Sequence, residues 1–538
     1  MKAPGKAVVI GLDGVAWHLL DPLIDDDVMP RLGALKACAA WGELTSTVPT
    51  YTPPAWTSAV TGVNPGRHGI YGFYAGNAQA ERQELMHAGR IRSATLWEMA
   101  NAQKATTGIY NLPLSYPPQA LDGWMISGMM TPGFSEKLQG FAHPSELEDE
   151  VLSWAPGYQV DTSANWEKDY RDDELCVRAF AVLEQRKTVL ERLLEERPVD
   201  IVFSVLESPD RLQHVYYRYL DRSSPLYGTS EGAAIRPALL RCYRLMDDIV
   251  GLLDDYAGGS GAALVCSDHG FTAWESSVHT NALLERWGYL RIKPAAKAMQ
   301  TKLARSLVPL AKRALPARLA REAKGATFAA IDWSKTKAFA SPIPQQGIFI
   351  NLKGRERFGC VEPAELEGLK DEITAALKSL TGPDGRPVVD VVHRSEQVFW
   401  GRALEGAPDL LPVLRDHRFE LDDEVFHKEP FNDLSHLPRG VHHPAGVIAV
   451  RAPEVHREAH LEGSVMDVTP TLLHLAGLRV PEDLDGTVLE SALSPSALER
   501  RPISYTTAIS SSGRQESSPY SKEEEAAIEE SLRGLGYL

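Results

Sequence analysis

The chain has 538 residues, 43% of them hydrophobic and 24% charged, a balance that excludes a disordered or fibrous polymer and leaves one large domain with insertions or two to three domains. A formal net charge of −16 excludes general affinity for nucleic-acid polymers, which shows as a basic patch on a basic domain. An anionic substrate would have to find positive charge locally, and a metal ion can supply it.

The opening "MKAPGKAVVIGLDGV" has too short an apolar run for a secretory signal and passes directly into Asp13. It reads as a buried strand that ends at an acid. Next comes "STVPTYTPPAWTSAVTG", 46–62, where Pro53 and Pro54 suit the first turn of a helix, Thr52 its N-cap and Gly62 its stop. The plain reading of Thr52 is a capping hydroxyl. The sharper one is that free N–H groups and the positive end of the helix dipole make this position hospitable to a phosphate or an alkoxide. Helical patterns follow at about 171–197 and 232–256, and three further apolar runs start at Asp200 ("DIVFSVLES"), Ala262 ("AALVCSDHG") and Gly446 ("GVIAVRAP"). Short, β-branched and separated by helices, the four runs read as buried parallel strands and predict an α/β fold, a mostly parallel sheet with helices on both faces.

The stretch 276–430 is too long for a crossover and is expected as a cap inserted over a core formed by 1–275 and 431–493. From Arg291 to Lys324 it is strongly basic, with Glu322 as its one acid. A solvated helix face, an attractor of anionic substrates and a contact with a membrane surface all fit that pattern. From 494 a serine-rich tail leads to a terminal helix in "SKEEEAAIEESLRGLGYL", marked by a Ser cap, an acidic first turn and a Gly stop. No run is long enough to span a bilayer. Cys38, Cys176, Cys242, Cys266 and Cys360 are odd in number and lack metal-type spacing, which suits reduced thiols and a cytoplasmic location.

The ends of the four runs carry the chemistry. The first ends in Asp13; the second is followed by "ESPDRLQH", where Asp210 and His214 stand four apart and share one face of a helical turn. The third ends in "SDHG", with Asp268 and His269, and "RGVHHPAG", with His442 and His443, precedes the fourth. Ligands of open α/β sheets sit at the carboxyl ends of the strands, so the first three groups are expected to converge, with His442 arriving from a loop. Singly, such residues are turn formers, caps or hydrogen-bonded structural histidines. Together they form an oxygen- and nitrogen-rich set that suits zinc or manganese, with ligands enough for two ions, and a two-metal site activates a nucleophile while stabilising a leaving oxygen at phosphorus. The Thr52 hydroxyl would complete such a site as the nucleophile.

The set "GLDG", "VPTYTPPAWTSAVTGVNPGRHGI", "SPDRLQH", "SDHG" and "GVHHPAG" resembles the type I phosphodiesterase and nucleotide pyrophosphatase branch of the alkaline phosphatase superfamily. It resembles in particular bacterial members described only as predicted phosphohydrolases or phosphomutases, and "MDVTPTLLHLAGLRVPEDLDGTVL" and "LRGLGYL" are similar to that group as well. The resemblance implies an alkaline phosphatase-like fold and two divalent ions, Zn2+ or Mn2+. It places Asp13, Thr52, Asp268 and His269 at one ion and Asp210, His214 and His442 at the other, with Thr52 as the residue that takes the phosphoryl or nucleotidyl group. The implied activity is hydrolysis of a small anionic phosphate ester, a diester before a monoester. A phosphomutase or phosphotransferase, and a binding protein that kept the fold, are the alternatives. The chain departs from the nucleotide pyrophosphatases at Ala55, where they carry an asparagine.

Overall fold

The computed structural model describes residues 6–76, 79, 84–133, 138–164, 168–294, 296, 328–341, 347–427, 429–457, 459–511 and 517–535. Its centre is a nine-stranded sheet, in the order His460–Ser464, Ala40–Thr45, Ala445–Arg451, Ala262–Cys266, Ala7–Leu12, Ile201–Leu206, Thr107–Leu112, Gly123–Ser127 and Ala142–His143. The inner strands pair in parallel, Val8 opposite Val202 on one side and Ala263 on the other. Side chains alternate across the sheet. Val8 and Ile10 pack with Leu190 and Leu253 from the helices Glu174–Glu196 and Ser230–Ala257, while Ala7 and Val9 pack with Trp56, Leu96 and Leu472 on the opposite face. The fold is therefore a mixed α/β layer structure with helices on both faces of a mostly parallel sheet.

The run at Gly446 corrects an expectation. Its strand, Ala445–Arg451, lies antiparallel to both neighbours, Ile448 opposite Cys266 and Gly42. An apolar run buried on both faces has the same composition whichever way it points. The reversal decides the site, because it brings the residues before this strand to the edge where the parallel strands end.

Between the third and fourth runs, Ala338–Ala340, Ile348–Ile350, Leu410–Leu414 and Val389–Arg394 form a separate four-stranded sheet. With the helix Leu366–Lys378 it has its own apolar cluster, including Phe339, Ile350, Ile373 and Leu377. The strand Phe419–Asp422 returns from it to pair with Ser276–His279. Residues 297–327, most of the basic run, lie outside the described residues. The last helix, Lys522–Gly534, starts from a capping box, with Ser521 N donating to Glu524 Oε2 at 2.7 Å. No described helix is long and apolar enough to cross a membrane, and none of the five cysteines is bonded to another.

Candidate active site

The chain segments that follow the parallel strands meet at one edge of the sheet. Asp13 N donates to Leu206 O at 3.0 Å, so the first strand keeps its ladder up to the residue whose carboxyl is buried at the edge. Gly14 then turns the chain at φ 72°, a left-handed value that favours glycine, and a Cβ there would stand 2.6 Å from the Phe271 ring. Its amide donates to Asp268 Oδ1 at 3.3 Å, which ties the ends of the first and third strands together. Trp56 Nε1 donates to Asp13 Oδ2 at 2.9 Å. The remaining oxygens, Asp13 Oδ1 and Asp268 Oδ2, are buried without a hydrogen-bond partner. They lie 3.7 and 3.3 Å from His269 Nε2.

Thr52 is the first residue of its helix, Thr52–Thr61, and the extended Tyr51 flanks it, so Thr52 is not the cap that its sequence context suggests. The hydrogen-bond partner of its hydroxyl is not a backbone amide of the first turn but His269, with Oγ1 3.3 Å from Nε2. The hydroxyls of Thr47 and Thr50 donate to Pro49 O and Thr47 O within their own loop. Pro53 and Pro54 carry no amide hydrogen and Ala55 N donates to Tyr51 O. The helix start keeps its dipole, yet of the expected N–H groups its first turn offers only the Thr52 amide.

The other half of the cluster grows from the helix Ser208–Leu220, which Pro209 opens. The i, i+4 spacing puts His214 Nε2 3.3 Å from Asp210 Oδ1. His442 comes from a short strand, Gly440–His443, with Phe271 opposite it, and not from a loop. Its Nδ1 lies 3.2 Å from Thr50 O; a carbonyl only accepts, so Nδ1 carries a proton. The His442 Nε2 lies 3.2 Å from Asp210 Oδ1 and 3.0 Å from His214 Nε2. These three atoms form a triangle with edges of 3.0 to 3.3 Å. Ligands bound at about 2.0–2.1 Å in a tetrahedron stand about 3.3 Å apart, so the triangle has the edge lengths that a tetrahedral cation requires. Asp210, His269 and His442, and likewise Asp13, Asp268 and His269, bring one donor atom each within 4.8 Å of one another. The His269 and His442 rings stack at 3.7 Å.

Electrostatics support the same reading. Burial pushes the Asp13 carboxyl up to about 8, with the neighbouring Asp210 adding to the shift, and burial with Asp13 and Asp210 nearby pushes Asp268 well above the usual range. Burial acts the same way on Asp210, but the His214 and His442 rings and Arg211 outweigh it and hold that carboxyl low. Burial drives His269 well down, helped by His442, and a bare imidazole is the form that binds metal. Buried carboxyls crowded together, with orphaned oxygens on Asp13 and Asp268 beside the bare His269 imidazole, are what divalent cations relieve, so the donor set fits such ions.

Every residue singled out from the sequence, Asp13, Thr52, Asp210, His214, Asp268, His269 and His442, stands in this one cluster. His443 is outside it, packed against His417 at 4.9 Å and accepting the Ala445 amide. Sequence reasoning missed Trp56, four residues after Thr52; Phe271, whose ring meets His214 edge-on at 4.9 Å; and Arg211. It also missed Glu420, raised to about 7 by burial against the pull of His442. For Trp56, Arg211 and Phe271, which follows His269 by two residues, the signal was adjacency to the motif residues; Glu420 has no sequence signal.

Residues 7–420 match the family model of type I phosphodiesterase / nucleotide pyrophosphatase. No curated protein matches the sequence. Among solved structures, phosphonoacetate hydrolase from Sinorhizobium meliloti 1021 in complex with phosphonoformate is similar with a TM-score of 0.54 at 19% identity, covering 88% of this chain and 96% of that one. Murine ectonucleotide pyrophosphatase / phosphodiesterase 5 has a TM-score of 0.48 at 13% identity, covering 91% of this chain and 100% of its own. The chain belongs to the type I phosphodiesterase / nucleotide pyrophosphatase family and is a phosphoric ester hydrolase.

Proposed function

We propose that the protein is a metal-dependent phosphodiesterase with Thr52 as its nucleophile. Asp13, Thr52, Asp268 and His269 would hold one divalent cation, and Asp210, His214 and His442 the other. The observation that carries this reading is the place of the Thr52 hydroxyl: fully buried at the positive end of a helix, 3.3 Å from Nε2 of His269, the residue common to the two groups of oxygen and nitrogen donors. Zinc suits those donors best, with manganese second. When bound, such ions acidify a coordinated hydroxyl and neutralise charge on the phosphoryl and leaving oxygens.

Thr52 Oγ gives its proton to solvent and bonds to phosphorus while the bond from phosphorus to the leaving alcohol breaks on the far side, and the departing alkoxide takes a proton from solvent. Water then attacks phosphorus, the bond from phosphorus to Thr52 Oγ breaks, Oγ takes up a proton from that water, and the phosphomonoester is released. The Asp13 carboxyl is kept in place by Trp56 and the His442 ring by Thr50 O. The His269 Nδ1 faces Gly270 O at 3.2 Å, which leaves its bare Nε2 turned towards Thr52. The rings of Phe271 and Tyr51 border His442 and limit water. The unpaired cysteines suit a reducing compartment such as the cytoplasm.

The test compares wild type, Thr52→Ala and Thr52→Ser on bis-p-nitrophenyl phosphate and p-nitrophenyl phosphate after metals are restored. Thr52→Ala should lose turnover by on the order of a thousandfold or more with little change in melting temperature, since no capping bond is lost. Thr52→Ser should keep measurable activity, and the diester should be the better substrate. Near wild-type turnover in Thr52→Ala would refute the nucleophile. Transfer between sugar phosphates in place of ester hydrolysis would identify a phosphomutase.

A further inference from the structure

The carboxylate of Asp210 faces two ways. Its Oδ1 meets His214 and His442, while its Oδ2 accepts Nη1–H of Arg211 at 2.5 Å. Arg211 is 1% exposed, and the rest of its guanidinium is spoken for. Nε and Nη2 donate to Asp161 Oδ1 and Oδ2 at 3.1 and 2.9 Å, and Nη2 lies 3.4 Å from Met129 Sδ. Asp161 is itself buried, with the Thr162 amide on its Oδ1 at 2.7 Å. One cation is thus locked between two carboxylates.

A buried ion pair is a weak source of stability, because desolvation offsets most of the attraction. Its geometric effect here is specific. With Oδ2 occupied, Asp210 can offer one oxygen only, and that oxygen is the one in the His214–His442 triangle. Asp161 balances the Arg211 charge, so a cation beyond Oδ1 meets a neutral pair and not a bare guanidinium. The other half of the cluster is built differently: Asp13 and Asp268 are oriented by neutral donors, the Trp56 indole and the Gly14 amide.

We propose that Arg211, anchored by Asp161, is a positioning residue that presents a single oxygen of Asp210 to a divalent cation, and that this positioning serves the Asp210–His214–His442 half of the site. This rests on the reading of Asp210 as a metal ligand, and the experiment separates the two. Protein stripped by chelator is titrated with Zn2+ in the absence of substrate, by calorimetry with metal counting, for wild type, Asp210→Asn, Arg211→Lys and the double variant Arg211→Gln/Asp161→Asn. The double variant exchanges a neutral pair for a neutral pair, so Asp161 is not left as a lone buried charge and Asp210 keeps its His214 and His442 contacts. Lysine keeps the charge but cannot fork onto Asp161 and reach Asp210 together.

Wild type should bind two ions and Asp210→Asn one. The double variant should bind two, with one dissociation constant raised about 10- to 100-fold and the other unchanged, and Arg211→Lys should show a smaller rise in the same constant. A merely structural role would weaken both constants together and lower the melting temperature in step. Wild-type constants in both Arg211 variants, or equal weakening of both ions, would overturn the positioning role while Asp210→Asn still loses an ion. Two ions in Asp210→Asn would overturn the ligand reading and the inference with it.

Discussion

His68 is fully buried and accepts the Ile70 amide through Nδ1 at 3.1 Å, which leaves the proton on Nε2 to donate to Ser58 Oγ at 3.0 Å. Burial pushes this imidazole down to about 3. Between pH 6.5 and 3 the unfolded chain therefore binds a proton that the folded chain refuses, so stability present at neutral pH is lost as pH falls through 6.5. From pH 7 to pH 5 this one group should withdraw about 2 kcal/mol. His68→Asn, which keeps a donor and an acceptor but does not titrate, should show a smaller drop in melting temperature over that range than wild type; identical drops would contradict the assignment. Gly11 makes a second prediction. A Cβ there would stand 2.6 Å from Trp56 Cη2 and 3.1 Å from Val205 Cγ2, so Gly11→Ala should cost about 1–3 kcal/mol in chemical denaturation, and an unchanged midpoint would show that Trp56 has room to move. At this scale the sequence was legible where spacing alone sets geometry, as with Asp210 and His214 one helical turn apart. Phe271 meets His442 across a pair of strands and His214 on a separate helix, contacts that leave no mark in any local pattern.

The antiparallel Ala445–Arg451 strand and the short Gly440–His443 strand before it deliver His442 to an edge otherwise built from strand ends. Direction was not legible because a fully buried strand reads the same both ways. The strand Ala40–Thr45 and the edge strand His460–Ser464 beside it escaped notice too, being short and only half apolar, and Thr107–Leu112 carries a glycine and an asparagine that mask its β pattern. The terminal helix was legible from its cap and acidic first turn. It buries Ile528 and Leu532 in a cluster with Tyr51, Phe73, Met129 and Met130, and Tyr520 OH donates to Met130 O at 3.0 Å, where the backbone has φ 80°. The helix thus braces the loops beside the helix that carries Thr52. Ile528→Ala should therefore destabilise by about 2–5 kcal/mol in denaturant unfolding; a loss well under 1 kcal/mol would mean that the helix docks only loosely.

The whole molecule is acidic, at −16, and gathers Asp13, Asp210 and Asp268 at one buried point, so it needs cations where it would bind an anion. The sheet explains how residues as distant as Asp13 and His442 meet there: parallel strands export their last residues to one edge, and a reversed strand adds residues that precede it. What the account requires above all is that phosphorus becomes bonded to Thr52. Metal-restored enzyme mixed with a phosphodiester, quenched in acid within a turnover and digested for mass spectrometry should carry a phosphoryl-ester adduct on Thr52, which chases away on further incubation. Full turnover with Thr52 unmodified at every quench time, in a protein shown to bind its metals, would contradict it.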